Sequence, residues 1–487
     1  MNRSHGVMKG EPTPTRGFKV VQGEPEGPLD DRAARSMQRV MGFSLFMWGN
    51  DDARGRDNYR LMLEGAKYFD RNGFEAVWTP ERHFHAFGGP YPNPSVTGAA
   101  LAAVTERIGI RAGSCVSPLH HPVRIAEEWA VVDNLSNGRV AIAFASGWQL
   151  NDFVLRPENH ANNKRVMFEQ IDLVRRLWRG EKIPFRNPVG EEVAIQTLPR
   201  PVQPELPFWV TTAGNPDTYR QAGELGANVL THLLGQTVEE LAGKVAMYRE
   251  ARATAGHHPA TGRVTLMLHT FVGDDDDDLR ELIRRPMKEY LRSSLKLVLD
   301  SNWLSPAFKR PAGARKPQDV DLRHLPANEI EAMLDVAFER YFETSGLFGT
   351  PATCARMVER CQRAGVDEIA CLLDFGVPTE RVMASLPGLS QVRERAKANP
   401  VSEQRSTPDS VVFGNGSSST ASPTEAPPIY SFLTKLRDRD IQVWAEGDRL
   451  RCSVPPGTLT PELRDELQQH KNEVLKFLRS AGALAGQ

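Results

Sequence analysis

From Met41 onward the chain alternates short apolar runs with longer stretches whose apolar positions recur at helical spacing. The runs MGFSLFM, EAVW, IRAGSCV, RVAIAFA, LPFWVTTAG, ANVLTHLL, RVTLMLHTFVG and DEIACLLDFG read as strands. Between and after them, NYRLMLEGAKYFDRNG, VTGAALAAVTERIG, PVRIAEEWAVVDNLSNG, NNKRVMFEQIDLVRRLWRG, PDTYRQAGELG and TVEELAGKVAMYREARATAG read as helices, several closed by a glycine. So do DDDDDLRELIRRPMKEYLRSSLKLVLD, ANEIEAMLDVAFERYFETS and PATCARMVERCQRAG; the aspartate run suits a helix N-terminus, where negative charge is stabilising. Each strand is followed by a helix or a helix-bearing excursion, and 181–204 has room for a small hairpin. That rhythm predicts an α/β fold of the (β/α)8 TIM-barrel type rather than an open sheet.

The pattern fades at both ends. Residues 1–38 are rich in Pro, Gly and charge and read as a flexible arm, leaving 39–391 for the barrel. Residues 392–428 carry too few large apolar groups to repay chain ordering and read as a linker. A small α/β unit is expected over 429–482: a helix in IYSFLTKLRDRD, a hairpin turning at Gly447 and Asp448, and a helix opened by Thr460 and Pro461. A unit this small has a marginal core of its own and suits a docking module better than a catalyst.

Composition narrows the function classes. With 60 basic and 61 acidic residues, the bulk charge favours neither nucleic acid nor an anionic membrane, so a charged ligand must be met locally. No apolar run reaches the roughly 18 residues of a membrane span, and the N-terminus has no signal-peptide core, so the sequence reads as cytoplasmic. Cys115, Cys354, Cys361, Cys371 and Cys452 are dispersed without CxxC spacing, as expected of reduced thiols.

In such a barrel the chemistry belongs at the carboxyl ends of the strands. Those ends include WTPERHFH, GSCVSPLHH, ASGWQLND, TTAGN and LDFG, rich in Gly, Ser, Thr and aromatic residues and poor in paired acids. A glycosidase would need a second carboxylate facing Glu81, and only Asp152 or Asp374 is available. His83, His85, His120, His121 and His232 supply metal-ligand types, but neither HExxH nor HxxEH occurs, and no metal is expected. Small residues beside aromatics suit a large planar ligand, and the turn TTAGNPDTYR offers a helix N-terminus to a phosphate.

The stretches WTPERHFHAFGG, GSCVSPLHHPVRIAEEWAVVDNLSNGRVAIAFASGW, VTTAGNPDTYRQAGELGANVL and FGTPATCARMVERCQRAGVDEIACLLDFG, in this order, resemble the bacterial luciferase-like monooxygenase family. ASGWQLNDFVLRPEN is similar to the branch found in polyketide and nonribosomal-peptide pathways. The resemblance implies a barrel that binds reduced flavin mononucleotide (FMN), activates O2 on it and oxygenates an organic substrate, by hydroxylation or Baeyer–Villiger insertion. It implies cofactor contacts at Gly113 and Ser114, where the family often has an unusual peptide geometry, at Ser146, and at the phosphate turn Ala213, Gly214 and Thr218. Arg82 stands where luciferase has its catalytically important histidine, which argues against light emission; Arg82, His83 and Trp148 are the candidate catalytic residues, with Arg82 excluded as a general base. No GxGxxG fingerprint follows a strand, so a separate flavin reductase is expected to supply the reduced cofactor.

YSFLTKLRDRDIQVWAEGDRLRCSVPPG resembles the docking domain, named after the tubulysin system, found at the N-terminus of nonribosomal-peptide synthetase subunits. The implied partner is a synthetase subunit or carrier protein, whose terminal segment could add as a strand beside Arg449 and Arg451. A deazaflavin-dependent oxidoreductase of the same fold and a non-catalytic assembly-line scaffold are the alternatives, and a homodimer stays open.

Overall fold

The computed structural model describes residues 40–50, 54–295, 325–398, 442–446, 449–453 and 461–471, with Leu299 and Val474. In chain order the strands are β1 (Gly42–Phe46), β2 (Ala76–Thr79), β3 (Gly109–Cys115), β4 (Val140–Phe144), β5 (Ile183–Arg186), β6 (Glu192–Ile195), β7 (Phe208–Thr211), β8 (Asn228–His232), β9 (Val264–Val272), β10 (Leu347–Gly349), β11 (Glu368–Leu372), β12 (Gln442–Glu446) and β13 (Arg449–Ser453). Parallel pairing runs β9-β11-β1-β2-β3-β4-β7-β8, and β8 pairs back onto β9, so the eight expected strands close into a barrel. The short β10 was not expected; it pairs with the end of β9 at Thr270, Phe271 and Val272. The excursion at 181–204 holds the antiparallel β5–β6 hairpin, as its pattern predicted.

Inside the barrel the strands carry more than apolar groups. Glu368 accepts hydrogen bonds from Arg111 at 2.9 and 3.0 Å, from Ser44 Oγ at 2.6 Å and from Trp78 Nε1 at 3.3 Å, and Arg263 lies 3.4 Å away. Arg111 in turn sits over the rings of Trp78 and Trp209, at 4.8 and 4.7 Å. A charge this deep is tolerable only when its lone pairs are filled, as they are here.

Helix ends follow local chemistry. Asn93 caps Pro94–Ala102 by accepting from Ser95 and Val96, Thr237 and Glu240 form a reciprocal capping box, and Asp275 caps Asp276–Arg292, the helix of the aspartate run. Two expectations need correction. The helix predicted over 96–109 ends at Ala102, because Asp70 from the preceding helix takes the N–H groups of Glu106, Arg107 and Ile108 at 2.7–3.2 Å and gives that stretch partners outside a helix. The barrel does not end at 391: the helix Thr379–Ala398 runs on, with Val392 and Ala396 buried and Arg393 stacked 4.7 Å over Phe74.

In the C-terminal unit, β12 and β13 pair antiparallel with Glu446 opposite Arg449 and Trp444 opposite Arg451, and a helix spans Pro461–Gln469. The N-terminal arm, most of the linker and the expected helix in IYSFLTKLRDRD lie outside the described residues.

Candidate active site

The segment after β2 turns Glu81, Arg82 and His83 inward at the carboxyl end of the barrel. Glu81 is buried; its Oε2 accepts the Val116 N–H at 2.6 Å, and its Oε1 lies 2.9 Å from His83 Nε2 and 2.5 Å from His120 Nε2. Burial alone would raise the Glu81 pKa, but the bonds to His120 and His83 outweigh it and hold the carboxyl below its ordinary value. Burial lowers and the Glu81 bond raises His120, and the bond prevails. Cys115 also lies beside Glu81 and His120, their ligand atoms within 4.8 Å of one another. Burial pushes the Cys115 thiol far up, and the hydrogen bonds of the group run from His83, His120 and the Val116 N–H to Glu81.

Arg82 is 4% exposed; Nη1 pairs with Asp152 and donates to the His83 carbonyl at 2.6 Å. Burial lifts the Asp152 pKa, and Arg82 offsets that only in part. Trp148 covers the guanidinium at 5.5 Å but is itself half-exposed, a flap over Arg82 rather than a sealed wall. Nine buried side-chain polar atoms among the described residues have no hydrogen-bond partner, and Arg82 Nε, Trp48 Nε1 and His269 Nε2 are three of them. Gly88 lies between the first two, since a Cβ there would stand 3.0 Å from Arg82 Cβ and 3.2 Å from Trp48 Cε2. The two orphaned donors beside Gly88, on Arg82 and Trp48, are available to a ligand's polar edge.

Beyond Trp48 the rim is aromatic. Trp48 meets Phe87 (5.8 Å), Phe87 meets Tyr290 (5.1 Å), and Tyr290 meets His269 (5.4 Å), which also contacts Tyr341 and Phe375. Burial drives the His269 pKa down to about 3, so its ring is neutral. Asp374 accepts from the Trp48 N–H at 2.8 Å and the Tyr91 hydroxyl at 3.1 Å, and burial lifts its pKa to about 6.

At the end of β3 the Gly113–Ser114 peptide is cis, the unusual peptide geometry expected from the resemblance. A Cβ on Gly113 would lie 2.9 Å from Phe46 Cε2 and Trp78 Cβ, so packing toward the barrel interior demands this glycine. Ser114 Oγ shares a 2.6 Å hydrogen bond with Thr211 Oγ1, tying β3 to β7. The neighbouring turn opens the helix Pro216–Glu224, capped by Asn215, with Thr218 buried in its first turn. The Ala213 carbonyl is held by Gln236 Nε2 at 2.7 Å and Thr231 Oγ1 at 3.1 Å. Gly214 faces open space bounded by the Lys244 ammonium, 3.5 Å from where a Cβ would stand; burial lowers the Lys244 pKa, and Gln236 Oε1 accepts from it at 2.7 Å.

The rim thus gathers Arg82, His83 and Trp148 on one side and Gly113, Ser114, Ala213, Gly214 and Thr218 at the ends of β3 and β7; Ser146 follows β4 between them. Arg449 and Arg451 lie on β13 of the C-terminal unit, in the strand positions expected. Sequence reasoning named Asp152 and Asp374 only as possible acid counterparts of Glu81 and His120 only as a metal-ligand type, and it overlooked Lys244. His120, Asp152 and Asp374 lie at strand ends, which is their local signal, but their partners are distant in sequence.

The luciferase-like monooxygenase model matches residues 39–368, and the TubC N-terminal docking domain model matches residues 429–480. The oxygenase component of the flavin-dependent trigonelline monooxygenase of Acinetobacter baylyi is 29% identical over 361 residues, covering 71% of this chain and 92% of that protein. Among solved structures, the oxygenating constituent of the 3,6-diketocamphane monooxygenase of Pseudomonas putida, a type II Baeyer–Villiger enzyme in complex with FMN, superposes with a TM-score of 0.59 at 18% identity, over 73% of this chain and 98% of that one. An F420-dependent secondary alcohol dehydrogenase shares the fold at a TM-score of 0.51 and 17% identity, over 72% of this chain and 99% of that one.

Proposed function

Because the chain belongs to the luciferase-like monooxygenase family and is a flavin-dependent monooxygenase, we propose that it uses reduced FMN and O2 to oxygenate an organic group held on a nonribosomal-peptide or polyketide synthetase. One observation carries this reading: a single chain joins the monooxygenase match at 39–368 to a docking-domain match at 429–480. A docking module brings its barrel to a synthetase terminus, and the natural substrate is then a group tethered to the carrier protein of that assembly.

The residues at the rim fit a flavin mononucleotide. Gly113 and Ser114 would lie against the ring system; Ser146, Ala213, Gly214, Thr218 and Lys244 would surround the phosphate, joining an ammonium to the start of a helix. The unpartnered Arg82 Nε and Trp48 Nε1 offer donors to polar edges of cofactor or substrate. When bound, the reduced flavin supplies the two electrons that let one atom of O2 enter the substrate while the other leaves as water.

The chain's own groups position and protect. Asp152 neutralises Arg82, so the guanidinium orients through its free edge rather than gathering anions. His83, 11% exposed in its side chain and bonded to Glu81, exchanges the proton that the reaction moves. Trp148 closes over Arg82 and limits water, and the chain Trp48, Phe87, Tyr290 and His269 gives an apolar bed for the substrate. A separate reductase supplies the reduced cofactor, in keeping with the Acinetobacter relative being an oxygenase component.

Anaerobic titration of the full chain with reduced FMN and, in parallel, reduced F420 tests the cofactor. Tighter binding of FMN supports the proposal; preference for F420 moves the chain to hydride-transfer chemistry.

A further inference from the structure

Among the described residues Glu81 is the carboxylate that touches two histidines at the rim, and both reach it through the same kind of atom. Its Oε1 faces His83 Nε2 at 2.9 Å and His120 Nε2 at 2.5 Å, while its other oxygen is taken by the Val116 N–H at 2.6 Å. An ionised carboxylate only accepts hydrogen bonds, so each Nε2 must carry its hydrogen. We propose that Glu81 is a positioning residue that locks His83 and His120 in the Nε2–H tautomer and thereby makes Nδ1 of His83 the proton-exchanging atom of the site, with His120 competing for the same oxygen.

The consequence is a coupled pair. When His83 Nδ1 takes a proton from a reacting group, the ring becomes an imidazolium with N–H on both nitrogens. Its positive charge sits against Glu81, and the Nε2 proton does not move. Delivery reverses the step from the same Nδ1. The two rings share one acceptor oxygen, so a stronger hydrogen bond from one leaves less of that oxygen for the other. Other groups bear on the cluster without replacing this link. The Arg82–Asp152 pair lies beside His83; Glu128 raises the proton affinity of His120 and Arg124 lowers it; and the Cys115 thiol stays neutral beside Glu81. With its side chain 27% exposed against 11% for His83, His120 is the ring in better contact with solvent protons.

The inference rests on the monooxygenase reading for its use, but its test does not. Nitrogen-15 spectra of the full chain labelled in histidine, recorded without flavin and assigned with His83→Gln and His120→Gln, report each ring's tautomer directly. Both rings are expected as Nε2–H at high pH. Glu81→Gln should break that state in at least one ring, and His120→Phe should leave His83 as Nε2–H with sole use of Glu81 Oε1, read as a downfield shift of its Nε2 proton. His120→Phe leaves Glu81 and its bond to Val116 in place, so the idea stays testable if Glu81→Gln fails to fold. An Nδ1–H tautomer for His83 in the native chain, or a His83 Nε2 proton unmoved by His120→Phe, overturns the proposal. Loss of FMN binding with the tautomers as expected overturns only the cofactor reading.

Discussion

Arg82 and Asp152 are 4% and 6% exposed, so removing one strands the other's charge out of water. Arg82→Ala should cost about 3–5 kcal/mol in chemical denaturation, and adding Asp152→Leu to Arg82→Met should recover most of it. Lys244→Ala acts on binding instead: losing a charge-assisted contact should weaken reduced FMN about 10- to 100-fold in the same titration while leaving stability nearly unchanged. Two acids set opposite pH trends. Burial lifts Asp374 to about 6, so its contribution favours the fold at low pH and fades as pH rises through that value. Burial would also lift Glu368, but Arg111 and Arg263 outweigh it, so its contribution is present above the ordinary glutamate range and lost on acidification. Asp374→Asn should therefore gain in Tm relative to the native chain as pH rises from about 4 to about 8, and a flat difference would remove Asp374 from the account. These partners explain what the sequence could not disclose. PERHFH announced a crowded strand end, yet that Arg82 meets Asp152 and Glu81 meets His120 follows only from bringing the ends of β2 and β3 and the loop after β4 together.

At the scale of elements, the eight strands were legible because each pairs β-branched or aromatic apolar runs with a following amphipathic stretch, and parallel strands buried on both faces leave that mark. What escaped notice was decided by contacts. QVRERAKA reads as solvated linker, but as the end of the helix Thr379–Ala398 it buries Val392 and Ala396 and lays Arg393 on Phe74. The β10 strand, LFG, is too short for any periodicity and forms because the end of β9 is free to pair. A chain truncated after 391 should melt below one truncated after 398, by the roughly 1.5–3 kcal/mol of a buried valine with its helical turn. Equal melting would show that the last turn contributes nothing. Gly113→Ala should also destabilise, by about 1–3 kcal/mol, because its methyl would press on Phe46 and Trp78.

For the whole molecule, the monooxygenase match and the docking-domain match fall in different parts of the chain. Deleting 429–487 should leave reduced-FMN binding intact and abolish capture by the partner synthetase; a shortened chain that binds its synthetase unchanged would refute the docking role. No described helix is long and apolar enough to cross a membrane. The barrel and the docking match that follows it were readable because separated motifs occur in one order, whereas the substrate is not written in any of them. The most direct test supplies reduced FMN, oxygen-18 gas and the carrier-bound group of the partner synthetase, then reads the carrier by mass spectrometry. The account predicts one oxygen-18 atom in the tethered group, dependent on both flavin and the intact chain; a tethered group that gains no label, or gains oxygen only from water, would contradict it.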